Sequence, residues 1–418
     1  MNLTIFAAGS RGDIQPCLVL GQGLQHAGLN VRLAIPQNFS NFAQSYGLPV
    51  HPLRGDVEQI MTGETGRRYM ETGGGNPLQS IFAMRKMLGP IAIQMAEDVL
   101  EACREADVLI TLAVFAPFGK TIADLCHTPL ILVEPTPVFP TTAFPAPGWP
   151  LQKNMGEPLN RLSGEAMLQV IWQWYRPFVN EFRRRFGLSP FKNSPFRHIL
   201  TTAPLLSAYS STVIPRPNDW PENIHLTGYW FPETLAWDPP SALEDFLSQG
   251  EPPIYIGFGS MAGENPEHFA ALVLDALAQT GQRGLIATGW GALNIKDIPE
   301  NVFVLDTVPH GWLFPRVAAV VHHGGAGTTA EGLRAGKPTV IVPFIVDQLF
   351  WGKRVQALGA GPEPIRAKHL TARKLAQALH TATTKPKIKL RAESMGQAIR
   401  AEDGVKNAVN IVQRILGA

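Results

Sequence analysis

The sequence predicts an α/β protein built from two Rossmann-like, doubly wound domains that face each other across a cleft. Two series of short apolar runs alternate with amphipathic stretches, one starting at the N-terminus and the other near Pro252. The runs are continuous rather than alternating, which is typical of strands in a parallel sheet that is covered on both faces. The chain has 418 residues, which favours two or three domains at roughly 150 residues each.

The first series begins with predicted strands at Leu3–Ala8, Val31–Ile35 and Val50–Leu53, separated by predicted helices at Ile14–Ala27 and Phe39–Tyr46. This β-α-β-α-β order implies parallel strands joined by right-handed crossovers. Further strands of this series are predicted at Val108–Ala113, Leu130–Val133 and Leu205–Ser210.

A segment from Pro135 to about Phe191 interrupts the first series. It is rich in proline and aromatic residues and then becomes an amphipathic helix. Long segments of this kind inside a compact domain are usually functional. We therefore consider it as a binding segment below.

The second series contains a strand at Ile254–Phe258 and a helix at His268–Gln279. Its remaining strands are predicted at Leu285–Thr288, Val302–Leu305, Val317–His322 and Thr339–Pro343, with helices at Thr328–Ala335, Phe350–Leu358 and Ala372–Thr381. We predict residues 1–231 and 253–400 as the two domains, and the proline-bracketed residues 232–252 as a linker. Residues 401–418 form a terminal helix, with a return to the N-terminal domain as an open alternative.

Charge and cysteine content exclude several classes of protein. The 36 Lys and Arg residues nearly balance the 34 Asp and Glu residues, whereas nucleic-acid binders usually carry a basic excess. None of the three cysteines forms a CxxC pair, which argues against a disulfide scaffold or a zinc site. No apolar stretch reaches the roughly 20 residues that span a bilayer, and the N-terminus lacks a basic signal region. We expect a cytoplasmic protein, free or peripheral at the inner face of the membrane.

The most informative motif joins a predicted buried strand to a helix through the letters HHGGAGTT, residues 322–329. Its glycines allow the backbone to approach a ligand, and free N–H groups at a helix N-terminus form an anion site. His323 can add a hydrogen bond or positive charge, Thr328 and Thr329 offer hydroxyls, and Glu331 can hold a ribose diol. The alternative is a strand-to-helix turn that is merely tight.

Two further strand ends carry residues suited to a nucleotide sugar. Asp347 and Gln348 follow the strand at Thr339–Pro343, and a carboxylate beside an amide can bind several sugar hydroxyls. Asp347 can equally be the N-cap of the next helix. Ser260 ends the similar turn after Ile254–Phe258 and is a candidate phosphate donor.

The loop Gly9–Pro16 leads into the first predicted helix and contains Asp13. A carboxylate at this place can take a proton from an acceptor hydroxyl as a new C–O bond forms. The alternative is again an N-cap. Ser10 and Gly12 can contribute to phosphate binding from this loop.

The aromatic segment is a candidate acceptor site. Its side chains, together with one from an earlier loop, suit a large apolar acceptor such as a sterol, carotenoid, other lipid or aromatic polycycle; they are Phe115, Phe139, Phe144, Trp149, Trp172 and Trp174. The neighbouring Arg183, Arg184 and Arg185 can meet anionic lipid headgroups at about 1 kcal/mol each. A solvated helix face packed on its aromatic side is the alternative.

The letters GSRGDIQP at residues 9–16 resemble the opening loop of sterol 3β-glucosyltransferases and of bacterial glycosyltransferases that modify natural products such as the vancomycin aglycone. The run VPHGWLFPRVAAVVHHGGAGTTAEGLRAGKPTVIVPF and the following DQLFWGKRV resemble the same family in the same order. The resemblance implies a GT-B fold, in which the N-terminal domain binds the acceptor and the C-terminal domain binds the donor. It also implies an inverting, metal-independent transfer of sugar from a nucleotide diphosphate.

The resemblance assigns roles by position. It places His323, Gly325, Gly327 and Thr328 at the pyrophosphate, Glu331 at the ribose, Asp347 and Gln348 at the sugar hydroxyls, Val308, Leu305 and His310 near the base, Ser10 near the distal phosphate and Asp13 as general base. Where the family often has glycine before the Asp-Gln pair, this chain has Val346.

The sequence therefore predicts a hexosyltransferase that uses UDP-glucose or a TDP-sugar as co-substrate and needs no further cofactor. The acceptor, the sugar, the choice of nucleotide and the oligomeric state stay open. A nucleotide-sugar epimerase or hydrolase of the same fold is one alternative. A non-catalytic nucleotide-binding partner protein is the other.

Overall fold

The structure is a computed structural model that describes residues 1–55, 60, 63, 65–66, 77–233, 237–259, 266–287, 298–306, 308–345 and 347–417. The chain divides into two compact units. The first comprises Met1–Pro232 with Asp403–Ala418, and the second comprises Glu233–Glu402. In the part of the chain that is described, none of the helices combines the length and the apolar character needed to span a bilayer.

The first unit is built on a seven-stranded sheet whose strands pair in parallel in the order β3-β2-β1-β4-β5-β6-β7. The strands are β1 Asn2–Phe6, β2 Asn30–Pro36, β3 Val50–Leu53, β4 Val108–Leu112, β5 Leu130–Glu134, β6 Leu205–Ser207 and β7 Ile224–Leu226. Six of them coincide with the apolar runs in the sequence. The edge strand β7 was not expected, because three residues that include His225 give no clear apolar run.

Helices surround this sheet. They are α1 Arg11–His26, α2 Ser40–Gln44, α3 Pro77–Ala102, α4 Ala116–Cys126, α5 Glu157–Arg185 and α6 Phe196–Thr202, with short 3-10 turns at Gln37–Phe39 and Ala113–Phe115. Leu18, Leu20 and Leu24 of α1 are buried together with Ile5 and Ile110 of the sheet. Burial of this apolar face is what holds the helix on the sheet.

The second unit contains a five-stranded parallel sheet in the order β10-β9-β8-β11-β12. Its strands are β8 Ile254–Gly257, β9 Gly284–Ala287, β10 Val302–Leu305, β11 Ala319–His322 and β12 Thr339–Ile341. Its helices are α7 Ser241–Ser248, α8 Pro266–Thr280, α9 His310–Leu313, α10 Ala326–Arg334, α11 Gln348–Leu358, α12 Ala372–Thr384 and α13 Pro386–Arg400, with 3-10 turns at Phe314–Arg316 and Ala367–His369. Val321 lies in one apolar cluster and Val320 in the other, so the sheet is covered on both faces.

The terminal helix α14, Gly404–Leu416, belongs to the first unit. Its Ala408, Val409 and Val412 join the core around β1. The contact is close at Gly404, where an added Cβ would lie 2.3 Å from the Tyr229 carbonyl oxygen. The last helix therefore packs on the domain in which the chain began.

Residues 232–252, which the sequence suggested as a linker, contain α7. Leu243 of this helix is fully buried in the apolar cluster that also holds Leu285 and Val320. The described part of this stretch is thus anchored to the second unit by packing.

Candidate functional site

In the second unit, three neighbouring strands end at the segments expected to bind the donor. Strand β11 lies between β8 and β12, and all three run parallel. Their carboxyl ends therefore meet at one edge of the sheet, where ligands bind in open α/β folds. Gly259 follows β8, His323 follows β11 and Asp347 follows β12. Ser260, the candidate phosphate donor after β8, and Val346 lie outside the described residues.

The turn after β11 requires its glycines. Gly324 has a φ of +97°, and an added Cβ would lie 2.7 Å from Cγ2 of Ile341 and 2.9 Å from the carbonyl oxygen of Gln348. A Cβ on Gly325 would lie 2.6 Å from Nε2 of His323. These distances are too short for any other side chain without movement of the neighbours. The glycines thus fix the path by which the backbone enters α10.

The two histidines of the turn have different surroundings. His322 is fully buried, and its Nδ1 accepts a hydrogen bond of 3.0 Å from the N–H of Gly324. His323 is half-buried, and its Nδ1 has no hydrogen-bond partner among the described residues. Burial lowers the pKa of His322 well below its ordinary value and lowers that of His323 to about 4. Burial thus favours the neutral form of both rings, in which His323 offers a hydrogen bond.

The N-terminus of α10 is open at Gly327. This residue is exposed, and among the described residues no atom beyond the adjacent helix backbone lies within 4 Å of the position that a Cβ would occupy. Thr328 is half-buried beside it. Thr329 is fully buried, and its hydroxyl donates 2.9 Å to the Gly325 carbonyl within the helix. The expectation that Thr329 offers its hydroxyl to a ligand is therefore wrong, whereas Thr328 stays a candidate.

Glu331 lies one helical turn beyond Gly327, on the same face of α10. Only 12% of its side chain is exposed, and Arg334 approaches it to 3.8 Å. Burial raises the pKa of Glu331 to about 7, and the nearby Arg334 only partly offsets this. Burial destabilises the ionised carboxylate, and hydroxyl groups of a ligand would stabilise it by hydrogen bonds. Glu331 is therefore well suited to bind hydroxyl groups near the open helix N-terminus.

Asp347 and Gln348 are placed by the start of α11. Asp347 occupies the N-cap position without a capping hydrogen bond from its side chain, and its Oδ2 accepts 3.0 Å from Nε1 of Trp351. Gln348 is 6% exposed, and its Oε1 accepts from the N–H groups of Phe344 at 2.7 Å and Ile345 at 3.1 Å. Gln348 therefore has its NH₂ group, not its amide oxygen, to offer a sugar.

The residues expected near the base lie beyond β10. Val308 is half-buried and packs against the apolar cluster that contains Leu305. The ring of His310 stacks on Phe314 at 4.4 Å, and its Nε2 lies 3.4 Å from the hydroxyl of Tyr255. His310 is thus held by ring contacts, beside the segment that carries Val308.

In the first unit, the loop after β1 forms a capping box. Ser10 is the N-cap of α1, and Asp13 is the third residue of that helix. Oδ2 of Asp13 accepts from the N–H of Ser10 at 2.8 Å and from its hydroxyl at 2.9 Å. Gly9 has a φ of +129°, and an added Cβ would lie 2.4 Å from Oδ2 of Asp13. Ser10 is therefore the N-cap, and Asp13 is not. Gly9 leaves room for the half-buried Asp13 carboxylate, and Gly12 next to Asp13 is exposed.

The segment after β5 is anchored by a buried carboxyl that sequence analysis missed. Glu134 is 1% exposed, and its Oε1 accepts from the hydroxyls of Ser207 at 2.7 Å and Tyr209 at 2.6 Å. Its Oε2 accepts 3.0 Å from the N–H of Val138. Burial raises the pKa of Glu134, against these three hydrogen bonds. The available signal was a single charged residue at the end of the apolar run LILVE.

A second missed carboxylate holds the same segment further along. Asp219 accepts 2.6 Å from the hydroxyl of Thr141 and 2.8 Å from the N–H of Thr142. Nothing in the sequence around Asp219 indicates this contact. Together with Glu134 it fixes the path of the candidate acceptor segment.

The aromatic residues proposed for the acceptor divide into two groups. Phe115 lies 5.1 Å from Phe6 and 5.9 Å from Tyr175 between ring centroids, and Trp174 lies beside Tyr175 at 6.5 Å. Phe115, Phe139, Phe144, Trp149 and Trp174 are all half-buried.

Trp172 is different, because it is 1% exposed and its ring meets that of Phe191 edge to face at 6.2 Å. It is a core residue, so its assignment to an acceptor surface is wrong.

The three consecutive arginines do not form a free cationic patch. Arg183 is 8% exposed, donates 2.7 Å to the Ser189 carbonyl and lies 3.9 Å over the Phe191 ring. Arg184 and Arg185 both pair with Glu181, at 2.9 Å and 3.2 Å. The expectation that Arg183 meets lipid headgroups is wrong, because its guanidinium points into the fold.

Two family models match the chain, one in each half. Residues 3–122 match the Glycosyltransferase family 28 N-terminal domain. Residues 271–414 match the C-terminal domain of Erythromycin biosynthesis protein CIII-like proteins. Parallel sheets with glycine-rich turns at their carboxyl edges, together with these matches, define the chain as a glycosyltransferase.

Curated relatives identify the family more closely. The chain is 36% identical to O-mycaminosyltylonolide 6-deoxyallosyltransferase of Streptomyces fradiae, over 99% of this chain and 97% of the relative. It is 34% identical to Sterol 3-beta-glucosyltransferase UGT80B1 of Arabidopsis thaliana, over 100% of this chain and 68% of the relative. The chain belongs to the family of glycosyltransferases that contains these two enzymes. It spans 64% of the length of a second Arabidopsis sterol glucosyltransferase, UGT80A2, and 27% of that of a Cryptococcus neoformans relative.

Solved structures confirm the fold. The glycotransferase of kitacinnamycin superposes with a TM-score of 0.74 at 19% identity, covering 99% of this chain and 98% of its own. Glycosyltransferase VinC in complex with DTDP superposes with a TM-score of 0.69 at 18% identity, covering 99% of each chain. The expected GT-B class with two parallel-sheet domains is thus confirmed.

Proposed function

We propose that this chain is an inverting, metal-independent hexosyltransferase that moves sugar from a nucleotide diphosphate to a hydroxyl of a large apolar acceptor. The observation that carries the proposal is the open N-terminus of α10 at Gly327, next to the glycine turn that follows β11. Backbone N–H groups and the helix dipole at such a place favour a diphosphate. The names of the relatives support a sterol or natural-product acceptor, and the VinC complex supports thymidine diphosphate as a donor nucleotide.

The proposed donor roles rest on the chemistry of each group and on the positions of its motif in the sequence. The proposal assigns the diphosphate to His323, Gly325, Gly327 and Thr328, the ribose to Glu331, the sugar hydroxyls to Asp347 and Gln348, the base to the segment of Val308 and His310, and the distal phosphate to Ser10, Gly12 and Ser260. Because its amide oxygen already accepts two backbone hydrogen bonds, Gln348 would donate to a sugar oxygen. The carboxylate of Asp347 would accept from a sugar hydroxyl.

The proposed transfer uses Asp13 as general base. The acceptor oxygen attacks the anomeric carbon and loses its proton to the Asp13 carboxylate. The bond from that carbon to the diphosphate oxygen breaks, so the configuration inverts and the nucleotide diphosphate leaves with the electron pair. The N–H groups of α10 and the neutral ring of His323 would stabilise the negative charge that develops on the leaving group. None of these steps requires a metal ion.

The acceptor would lie along Phe115, Phe139, Phe144, Trp149 and Trp174, whose half-buried rings offer apolar surface in the first unit. A sterol or another lipid acceptor would reside in a membrane, so the proposal includes a cytoplasmic protein with peripheral contact at the inner membrane face.

The general-base role is tested with Asp13→Asn. We expect the transfer rate to fall by at least a hundredfold, while UDP or TDP binding measured by calorimetry is unchanged. The matched control is Asp403→Asn, which removes a carboxylate that caps α14 in the same unit. Transfer near the wild-type rate in Asp13→Asn would remove this role, and loss of activity in the presence of EDTA would contradict metal independence.

The same assay separates the alternative functions. Product mass spectrometry would be run with UDP-glucose and TDP-glucose, each with and without sterol, carotenoid and polycyclic acceptors. Rapid loss of donor without acceptor would favour an epimerase or hydrolase. Tight nucleotide binding without turnover of any donor would favour the non-catalytic partner.

A further inference from the structure

The residues that follow β5 form an irregular segment whose backbone is held by side chains from elsewhere. Residues 135–142 contain neither helix nor strand, so their N–H groups need other partners. Oε2 of Glu134 accepts 3.0 Å from the N–H of Val138, and Oδ2 of Asp219 accepts 2.8 Å from the N–H of Thr142. Two carboxylates therefore clamp this backbone, one near each end.

The Glu134 clamp is itself fixed by β6 and the residues after it. Glu134 is 1% exposed, and its Oε1 accepts from the hydroxyls of Ser207 and Tyr209, which are fully buried. A carboxyl at such a place is costly, because burial raises its pKa against these hydrogen bonds. An apolar side chain could pack against β6 at lower cost. What the carboxyl of Glu134 adds is its hydrogen bond to Val138 in the irregular segment.

The second clamp closes on the other side of Phe139. The hydroxyl of Thr141, which is 2% exposed, donates 2.6 Å to Oδ1 of Asp219. Pro140 packs so closely on α5 that a Cβ added to Gly164 would lie 2.7 Å from its Cα. Phe139 is half-buried, and the residues before and after it are both held by neighbouring elements. Its place in the fold is therefore set from both sides.

This clamped segment begins at the same edge of the sheet as the loop that carries Asp13. The segment leaves the carboxyl end of β5, and the Asp13 loop follows the carboxyl end of β1. Only β4 lies between these two parallel strands, so they are roughly 10 Å apart. Phe115, which follows β4, lies 5.1 Å from Phe6 of β1 between ring centroids. An acceptor that reaches Asp13 along this edge would pass the clamped segment.

We infer that Glu134 and Asp219 are positioning residues for the acceptor, which hold Phe139 as a fixed part of the acceptor site before the acceptor binds. The inference rests on the proposed function, because it takes this segment as the acceptor site. When only a fraction of the molecules has an ordered site, the apparent affinity falls by that fraction. A saturating acceptor restores the ordered form. Loss of a clamp should therefore raise the acceptor KM and leave kcat nearly unchanged.

The first test compares two substitutions of Glu134, with cholesterol, zeaxanthin and alizarin as probe acceptors. Glu134→Ala removes the hydrogen bond to Val138, so we expect the acceptor KM to rise on the order of tenfold, with kcat within about twofold of the wild type. Glu134→Gln should restore the wild-type KM. Its amide oxygen can accept from Val138, and its NH₂ group can donate to the hydroxyl oxygens of Ser207 and Tyr209.

The second clamp provides an independent variant that spares the buried sheet. Asp219 is half-buried in the loop before β7, and Asp219→Ala should raise the acceptor KM as Glu134→Ala does. The matched control is Asp107→Ala. The Asp107 carboxylate accepts 2.7 Å from the N–H of Asn2 at the opposite, amino edge of the same sheet. This control removes a carboxylate that holds a backbone N–H, and we expect it to leave the acceptor KM unchanged.

Hydrogen–deuterium exchange measures the clamping without any substrate. Peptides that cover residues 135–146 should exchange faster in Glu134→Ala and Asp219→Ala than in the wild type, and at the wild-type rate in Asp107→Ala. Unchanged exchange in both clamp variants would overturn the inference. So would an unchanged acceptor KM in both, or an equal rise of KM in Asp107→Ala. A Glu134→Gln variant that behaves like Glu134→Ala would also contradict it.

Failure of the proposed function gives a different result. If the wild type transfers sugar from neither UDP-glucose nor TDP-glucose to any of the three probes, the proposed function fails. Titrations of tryptophan fluorescence with the same probes then report acceptor affinity directly. Weaker binding by both clamp variants would support the inference, and unchanged binding by both would overturn it.

Discussion

Replacement of Glu331 by glutamine tests whether the buried carboxyl of Glu331 binds a ligand. Burial raises the pKa of Glu331 from its ordinary value of 4.5 to about 7, with 12% of the side chain exposed. A raised pKa means that the folded chain binds this proton more tightly than the unfolded chain does. The stability that the protonated carboxyl provides is present below about pH 4.5, falls as the pH rises, and is lost above about pH 7.

The expected magnitude follows from that difference in pKa. It corresponds to at most about 3 kcal/mol of unfolding free energy at pH 8. Glu331→Gln keeps the shape but never ionises, so we expect it to be more stable than the wild type at pH 8 by up to that amount. At pH 4 the two proteins should have the same stability.

Nucleotide binding should respond in the opposite direction. Hydrogen bonds to a charged group contribute about 1.5–3 kcal/mol, so loss of the carboxylate should weaken UDP or TDP binding by about tenfold to a hundredfold. If only the ionised form binds the ribose, the wild-type affinity should fall about tenfold between pH 8 and pH 6, given a pKa of about 7. The glutamine variant should lack this dependence.

Denaturant titrations between pH 4 and pH 8.5 and calorimetry at pH 6, 7 and 8 measure both effects. The control is Glu363→Gln, which removes a glutamate of the same unit whose side chain is 70% exposed. A Glu331→Gln variant that binds nucleotide as tightly as the wild type would refute the ribose role. A variant less stable than the wild type at pH 8 would refute the reasoning from burial.

Three further substitutions separate function from packing. A Cβ in Gly327→Ala has no described atom within 4 Å beyond the adjacent helix backbone, so stability should be equal or up to about 1 kcal/mol higher. Calorimetry should show nucleotide affinity at least about tenfold lower if a diphosphate occupies that space. The Cβ of Gly9→Ala would lie 2.4 Å from Oδ2 of Asp13, so the transfer rate should fall at least about tenfold while nucleotide affinity is unchanged. An unchanged rate would mean that Gly9 does not position Asp13. Trp172→Ala should lower the free energy of unfolding by about 3–5 kcal/mol in denaturant titrations. Trp149→Ala should mainly raise the acceptor KM. An equal loss of stability in both variants would place Trp149 in the core.

Most strands were predictable because they are continuous apolar runs, as strands of a sheet covered on both faces usually are, whereas β7 has no such run and was missed. Helix α3 escaped prediction for a physical reason. Its middle contains Gly89 and Pro90, which usually end helices, and packing overrides that preference. Gly89 lies beside the ring of Phe178 on α5, and a Cβ added there would be in ordinary contact with the ring at 3.5 Å. Tertiary contact, which the sequence does not display locally, sustains this helix.

At the candidate site, the glycine turn was predictable because closely spaced glycines between a strand and a helix are typical of ligand-binding turns. The sequence analysis did not distinguish the side chains that face the core from those that face a ligand. Helical phase contained the missing signal. Thr329 lies four residues before the buried Leu333, and Trp172 lies seven before the buried Val179. Arg183 lies four residues after Val179, on the same buried face. Residue type suggested ligand contacts for all three, whereas their phase indicated the core.

The donor-side groups share one electrostatic property that bears on how an anion would be held. Burial keeps His322 and His323 neutral and leaves Glu331 able to carry negative charge near neutral pH. Burial thus works against positive side-chain charge at this turn. The helix N-terminus remains, and its partial positive charge needs no protonation and does not vary with pH. Attraction then depends on how closely a ligand approaches the first N–H groups of α10, and that distance is set by the glycines, above all by the open space at Gly327.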